Sequence, residues 1–580
     1  MKLAEHGQAL ADLFISKEGP QTKLAAREAR YYLGLMAGTA FRIVESPDPE
    51  RKIIAFAQIN DPELGDEGFR FTSDERSLTV SGGKRGLLYG VYELLERLGC
   101  RFFTSNDEYV PYIPEPELPA WDETVKPVFE YRYHDTEEIR THQRFCVKLR
   151  INGAPITERF GGNMGYALFV HTMNNLLPLE EYGKTHPEYF AMRDGVRYVP
   201  ENGHCMQACL TNPDVLQIAI ENVRKILHKR PQCRLISISQ MDNFSFCTCP
   251  ECAKVDREEG SAAGTMIRFV NAIATALKEE FPDVIFDTLA YQYTRPVAKK
   301  TRPVENVCVR LCSIECCFSH PMETCDDTTR GVRHPDGTRS DFVTDLRNWA
   351  KVCGRMYIWD YITCFSHYAS PHPNWRTLQP NMQFFAKNNV KGVFEQGNSK
   401  HGAGPDLVEL RQYIVAKLLW DPYCDVEKHI TEFLEYFYGA AAGAVREYIN
   451  AVCDKCEQEN IHVGFDDRPV KDFLAESMLD VYDEILSRAA NAVSNDPLRA
   501  YRVARIRFCT EYLRLKRKAM LQNIVDGKEL NDFFNRWRAY GFTRMHEWVD
   551  VDMAHYAFLN GKWRGEEMLD FWVAEAAEIV

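Results

Sequence analysis

Between residues 129 and 397 short apolar segments alternate with longer segments of helical periodicity. No other feature of the chain constrains its fold as strongly. The apolar segments are FEYRYHD (129–135), RLISISQMD (234–242), VIFDTLAYQY (284–293), VCVRLCSIE (307–315), RMYIWDY (355–361) and VKGVFEQG (390–397). Amphipathic helical stretches lie between them at 213–229, 262–281, 340–353 and 376–389. Uninterrupted β-α-β-α order with strands apolar on both faces requires a parallel sheet covered by helices. With two weaker strands near 168–173 and 206–211, the run predicts a (β/α)8 barrel over 125–424, strands four to eight starting near 234, 284, 307, 355 and 390. An open doubly wound sheet is the structural alternative, but no glycine fingerprint of the dinucleotide or P-loop kind supports it.

The flanks differ in pattern. In the segment 1–118, RSLTVSGG reads as a strand with a Gly turn, KRGLLYGVYELLERLG as an amphipathic helix stopped by Gly99, and CRFF as the next strand, so a small α/β domain is expected. YVPYIPEPELPAWDETVKP is Pro-rich and suggests a linker. From 425 to 580 the pattern is helical, as in DVEKHITEFLEYFYG and RAYRVARIRFCTEYLRLKRKAMLQ. A formal charge of -13 argues against sequence-independent nucleic-acid binding, which needs a basic face. No stretch approaches the ~18 apolar residues of a membrane span. The amino terminus lacks a signal-peptide core, and 19 cysteines, an odd number, suit a reducing compartment. A cytoplasmic protein is therefore expected. Its oligomeric state is not legible.

In a barrel, catalytic groups come from the C-terminal strand ends and the loops after them. Asp242 and Asn243 close strand four, Tyr291 and Tyr293 strand five, and Glu315 strand six. Trp359, Asp360 and Tyr361 close strand seven, and Glu395, Gln396 and Asn398 strand eight. His171 and Asn174 cap an earlier strand. Carboxylates among aromatic rings at one mouth suit a saccharide, with rings stacking on sugar C–H faces and carboxylates doing acid/base work. Each acid has a structural alternative as a helix cap or a loop ion pair. Tyr291 and Tyr293, two apart, share a face if the strand runs through both. Asp242 is followed by CTCPEC. Cys249 and Cys252 with Cys205 and Cys209 would make a structural zinc site; free thiols packed in a turn, with no cofactor, are the other reading.

The run from Asp242-Asn243 through CTCPEC and EEGSAAGTMIRFVNAIA, then TLAYQYT, LCSIECC, YIWDYIT, FSHY and GVFEQGN, resembles the catalytic domain of glycoside hydrolase family 163 over residues 125 to 440. That family holds bacterial relatives of endo-β-N-acetylglucosaminidases. SGGKRGLLYGVYELLERLGCRFF resembles the small domain preceding the barrels of β-hexosaminidases and α-glucuronidases, and the tail is similar to that of family 67 α-glucuronidases. The resemblance implies a retaining glycosidase acting on β-linked N-acetylhexosamine. Asp242 and Asn243 would orient the substrate acetamide, and Glu395 or Glu315 would be the acid. A carboxylate nucleophile is the other mechanism, requiring carboxyls ~5 Å apart. A uronic-acid hydrolase using Arg295, a non-catalytic sugar-binding barrel and a zinc-dependent hydrolase are further alternatives. A cytoplasmic location favours small, exo-type oligosaccharide substrates.

Overall fold

The computed structural model describes residues 1–17, 19–333, 338–399, 404–522, 526–547 and 549–559. Six parallel strands form the central sheet: β1 (Tyr131–Asp135), β2 (Leu235–Ser237), β3 (Ile285–Ala290), β4 (Val307–Cys312), β5 (Met356–Tyr361) and β6 (Val390–Gln396). Their order is β1-β6-β5-β4-β3-β2, so first and last strands in the chain are neighbours and the sheet curls. β2 to β6 are barrel strands four to eight. They begin where the apolar runs begin.

The gap between β1 and β2 is crossed by two irregular segments. The Asn152 and Gly153 amides donate to the Arg132 carbonyl at 3.1 and 3.0 Å, and Met164 N donates to the Asn152 carbonyl at 2.9 Å. Tyr166 bridges Leu235 in parallel, and Ser237 N donates to the Leu168 carbonyl at 2.8 Å. The strand expected near 168–173 thus lies beside β2 as a bonded but irregular segment. The one expected near 206–211 is not a barrel strand: Ala208 pairs antiparallel with Phe190, and 151–153 runs beside β1 instead. Asn152 explains why that segment was illegible. Its side-chain oxygen accepts the Arg132 amide at 2.8 Å, replacing a ladder bond without an apolar run.

Helices cover the sheet where the periodicity places them, at Pro213–Lys229, Ala263–Leu277, Phe342–Ala350 and Leu378–Lys387; a fifth, Val408–Trp420, follows β6 and is buried on every side from Leu410 on, so it carries no amphipathic signal. Asn212 caps the first, accepting from the Asp214 and Val215 amides with Pro213 at the first helical position; Asp341 caps the third. Strand alternation then divides the side chains. Tyr131, Leu235, Ile285, Cys308, Tyr357 and Phe394 fill the interior. Val309, Leu311, Ile358 and Val393 face the helices.

The amino-terminal sheet orders Asp122–Val125, Phe69–Ser73, Ser77–Gly82, Lys52–Gln58, Ala11–Lys17 and Ile43–Val44. The Pro-rich stretch is therefore not a free connector, since Asp122–Val125 is the antiparallel edge of this sheet. The SGGKRG turn demands glycine: a Cβ on Gly83 or Gly86 would lie 2.0 Å from the Gly65 or Gly68 carbonyl oxygen. Buried charges tie this layer to the barrel. Glu67 takes Arg132 of β1 at 2.7 Å, Arg85 at 2.8 Å and the Asn152 amide at 2.8 Å. Burial raises the Glu67 carboxyl pKa, but the Arg132 and Arg85 guanidiniums more than offset it and hold it below the usual range.

Beyond residue 425 the described chain is helical, with Ala442–Gln458, Glu476–Ala492 and Pro497–Arg517 the longest elements. Residues 560–580 of the expected helical region lie outside the described residues. The tail returns to the barrel near 545: Tyr368 N donates to the Met545 carbonyl and Glu547 N to the Phe365 carbonyl, both at 3.0 Å. No helix among the described residues is long and apolar enough to cross a membrane.

Candidate active site

The C-terminal strand ends carry an aromatic mouth with acidic groups at its rim. Asp242, in the exposed turn after β2, accepts the Tyr291 hydroxyl at 3.0 Å and the Gln292 amide at 3.3 Å. Burial, with the Asp242 charge adding to it, raises the Tyr291 phenol pKa, so Tyr291 stays a donor. The His171 ring is 6.3 Å from the Tyr291 ring, and its Nδ1–H donates to the Gln240 carbonyl at 2.8 Å. His171 and Gln292 both adopt left-handed backbone, φ 51° and 52°, where non-glycine residues are strained.

Across the mouth, Trp359 Nε1 donates to Gln396 Oε1 at 2.9 Å, and Gln396 Nε2 donates to Glu547 at 3.0 Å. Tyr361, Phe365, Tyr368 and Phe318 pack beside Trp359, with Phe465 of the tail against them. The Tyr133 hydroxyl donates to Asp135 at 2.9 Å. Below, Arg310 pairs with Asp287 at 3.0 Å and lies under Phe169 and Trp359, its guanidinium 4.5 and 5.0 Å from their ring centres. Burial pushes the Asp287 carboxyl up to about 6 against the pull of Arg310. This buried pair makes a rigid polar floor.

Glu315 lines a neighbouring cleft of about 470 Å³ with Cys316, Met322, Arg330 and Phe342. Its carboxylate contacts Arg295, which also holds Asp345 at 2.7 Å. Burial raises the Glu315 pKa, opposed by Arg295. Burial, with the charges of Cys312, Tyr291, Glu315 and Asp360 adding to it, raises the Tyr361 phenol well above its ordinary pKa. Arg295 itself is fully buried among Glu315, Asp345 and the Ser340 carbonyl, so it has no guanidinium face left for a substrate carboxylate.

Three expectations need correction. Glu395 and Asp360 do not face the mouth. They alternate with the inward Phe394, Gln396, Trp359 and Tyr361, so both point outward under the helices, paired in register with each other. Ser313 Oγ donates to Asp360 at 2.5 Å; burial pushes Asp360 up to about 6, and burial with the Asp360 charge raises Glu395 well above the carboxylate range. Asn243 is bound into its own turn by Gln207, the Ser245 amide and the His204 carbonyl, rather than offered to a ligand. Tyr293 does not share a face with Tyr291: β3 ends at Ala290, a 3-10 turn follows, and Tyr293 stacks on Phe246 at 4.6 Å behind the cysteine loop. Asn398 is buried just past β6, and Asn174, in the short helix Met173–Leu176, accepts the amide of Leu179 at the start of the next helix.

The cysteine loop closes on a different set than expected. Cys209, Cys247, Cys249 and Cys252 are buried with all four sulfurs within 4.8 Å of one another, while Cys205 is exposed and outside. Cys209 lies 3.7 Å from Cys249 and 3.9 Å from Cys252. Four thiolates at about 2.3 Å from a tetrahedral zinc stand roughly 3.8 Å apart, so the donor set fits that ion. Met192 N at 3.3 Å and the Arg197 guanidinium at 3.7 Å donate to Cys247 Sγ, as partners of a negatively charged thiolate cage do.

Sequence reasoning missed Asp135, Asp287, Arg310 and Glu547. Asp287 and Arg310 were readable as charges inside otherwise apolar strands, and Asp135 as a strand-end acid. Glu547 arrives from the tail, which carries no local signal of barrel contact.

Residues 102–450 match the family described as a domain of unknown function, DUF4838. In fold the chain is similar to a family GH115 4-O-methyl-α-glucuronidase with specificity for decorated arabinogalactans, at 12% identity and a TM-score of 0.56 over 97% of this chain and 78% of that one. Weaker likenesses include a GH138 enzyme targeting pectin rhamnogalacturonan II (9% identity, TM-score 0.46, 98% of each chain). Another is the GH20 β-N-acetylhexosaminidase of Streptomyces coelicolor A3(2) (13%, 0.40, 74% of this chain and 91% of that one). No curated protein matches in sequence.

Proposed function

The chain belongs to the DUF4838 family, and we propose that it is a glycoside hydrolase whose substrate is an oligosaccharide bearing β-linked N-acetylhexosamine. The observation that carries the reading is Asp242, exposed at the mouth yet oriented by a phenol and an amide beside two strained residues. The likeness of the quoted motifs to family 163, and the fold shared with a GH115 α-glucuronidase, support the class of reaction. In this mechanism the acetamide oxygen attacks the anomeric carbon as the glycosidic C–O bond breaks. Glu315 gives its proton to the leaving oxygen, and Asp242 stabilises the positive charge that the acetamide ring gains. Water then opens that ring, with Glu315 taking the proton back. Trp359 supplies the stacking face, held edge-on to Phe394 and anchored through Gln396. Glu547 and Asp135 bind hydroxyls. The Cys209, Cys247, Cys249 and Cys252 cage holds a structural zinc that braces the loop behind Asp242.

The test is a panel of aryl glycosides and N-glycan oligosaccharides with wild type, D242N, E315Q and E547Q. Release of an acetamido sugar by wild type, lost in D242N and E315Q, is expected. Turnover of glucuronides alone would replace this reading with the uronic-acid one. No release by a folded wild type would remove it.

A further inference from the structure

Outside the mouth, a second cluster joins two distant segments. Cys317, His320 and Cys325 lie in the loop after β4, and His462 follows helix Ala442–Gln458 of the tail. One donor atom from each lies within 4.8 Å of the others. Cys317 Sγ is 3.5 Å from His320 Nδ1, Cys325 Sγ is 3.5 Å from His462 Nδ1, and the two imidazole centres are 4.7 Å apart. A tetrahedral zinc with bonds of about 2.3 Å to sulfur and 2.0–2.1 Å to nitrogen sets those atoms roughly 3.5–3.6 Å apart. The spacing is that of ligands around one ion.

The surroundings support the same conclusion. His462 Nε2 lies 3.2 Å from Asp326 Oδ1, the carboxylate–histidine arrangement that fixes which ring nitrogen turns to a metal. The two segments are also held together by their backbones. Phe318 N donates to the Val463 carbonyl at 2.8 Å, Ser319 Oγ to the Ile461 carbonyl at 2.6 Å, and Val463 N to Ser319 Oγ at 3.1 Å. The ligands are therefore positioned before an ion arrives, which lowers the ordering cost of binding.

We propose that Cys317, His320, Cys325 and His462 form a structural zinc site of the Cys2His2 kind, clamping the loop that carries Glu315 onto the helical tail. All four positions are protein ligands, so the ion has no open coordination site and its role is mechanical. The site rests neither on the glycosidase reading nor on the four-cysteine cage.

The experiment is metal analysis of the purified full chain after dialysis against metal-free buffer, with zinc counted per chain. The wild type is expected to retain two zinc ions, the C325S/H462A variant one, and the C209S/C252S variant the other one. If C325S/H462A fails to fold, H462Q keeps three ligands, and its zinc is expected to leave at a lower chelator concentration than in wild type. Cobalt exchange gives an independent reading: the thiolate-to-cobalt absorption should fall in C325S/H462A but not vanish. A wild type holding no zinc, or zinc content and chelator resistance untouched by C325S/H462A and H462Q, would overturn the proposal.

Discussion

Replacing Asp360 by Asn separates an acid that folds the sheet from one that works at the mouth. Asp360 is 5% exposed, faces the helices, and has Ser313 and the Tyr361 backbone amide as its polar partners, with Glu395 beside it in register. Burial moves its folded pKa from 3.8 to about 6. A carboxyl raised on folding binds its proton more tightly in the native state. Its contribution is therefore fully present below the unfolded pKa and is lost as pH rises through the folded one. At about 1.4 kcal/mol per pKa unit, the loss between pH 4 and pH 7 is on the order of 3 kcal/mol. Asn keeps the acceptor for Ser313 and never ionises. In denaturant melts D360N should match wild type near pH 4 and exceed it by up to about 3 kcal/mol at pH 8. Its kcat/KM should stay within a few-fold of wild type. Loss of turnover with no pH-dependent gain in stability would refute the outward placement of this side chain.

Asp242→Asn should lower kcat/KM by roughly 10²–10⁴ with the melting curve unchanged, and Tyr291→Phe, which removes one hydrogen bond to a charged oxygen, by about 10–100-fold. Steady-state kinetics with circular dichroism checks both. Glu67→Gln leaves Arg132 buried without its counter-charge and should destabilise the chain by about 3–5 kcal/mol in urea melts. Because Glu67's folded pKa is depressed, its contribution is present above the unfolded carboxylate pKa and lost as pH falls, so the deficit should narrow in acid. Trp359→Ala should weaken sugar binding by about 1–3 kcal/mol in calorimetry with little effect on the pH profile.

The barrel was legible because strands buried on both faces need continuous apolar runs, and β2 to β6 begin where those runs do. The segments beside β1 and β2 escaped because side chains and single bridges, as at Asn152 and Tyr166, replace a regular ladder there. The site was half legible. A residue at a strand end is easily recognised, but one step along a strand reverses its side chain, so Glu395 and Gln396 point oppositely and composition does not say which. Asp242, expected to close strand four, lies instead in an exposed turn five residues past the end of β2, where strand alternation no longer sets its direction. The cysteine cage was seen with Cys205 in place of Cys247, since spacing along the chain does not report which thiols fold inward. The Cys317 cluster was invisible because His462 lies far away in sequence.

The most direct measurement compares hydrolysis of one acetamido oligosaccharide by D242N and E395Q, both verified as folded. The mouth as described requires E395Q to retain turnover close to the parent enzyme while D242N loses it. Turnover abolished in E395Q and preserved in D242N would place the chemistry on the other side of the sheet and contradict the account.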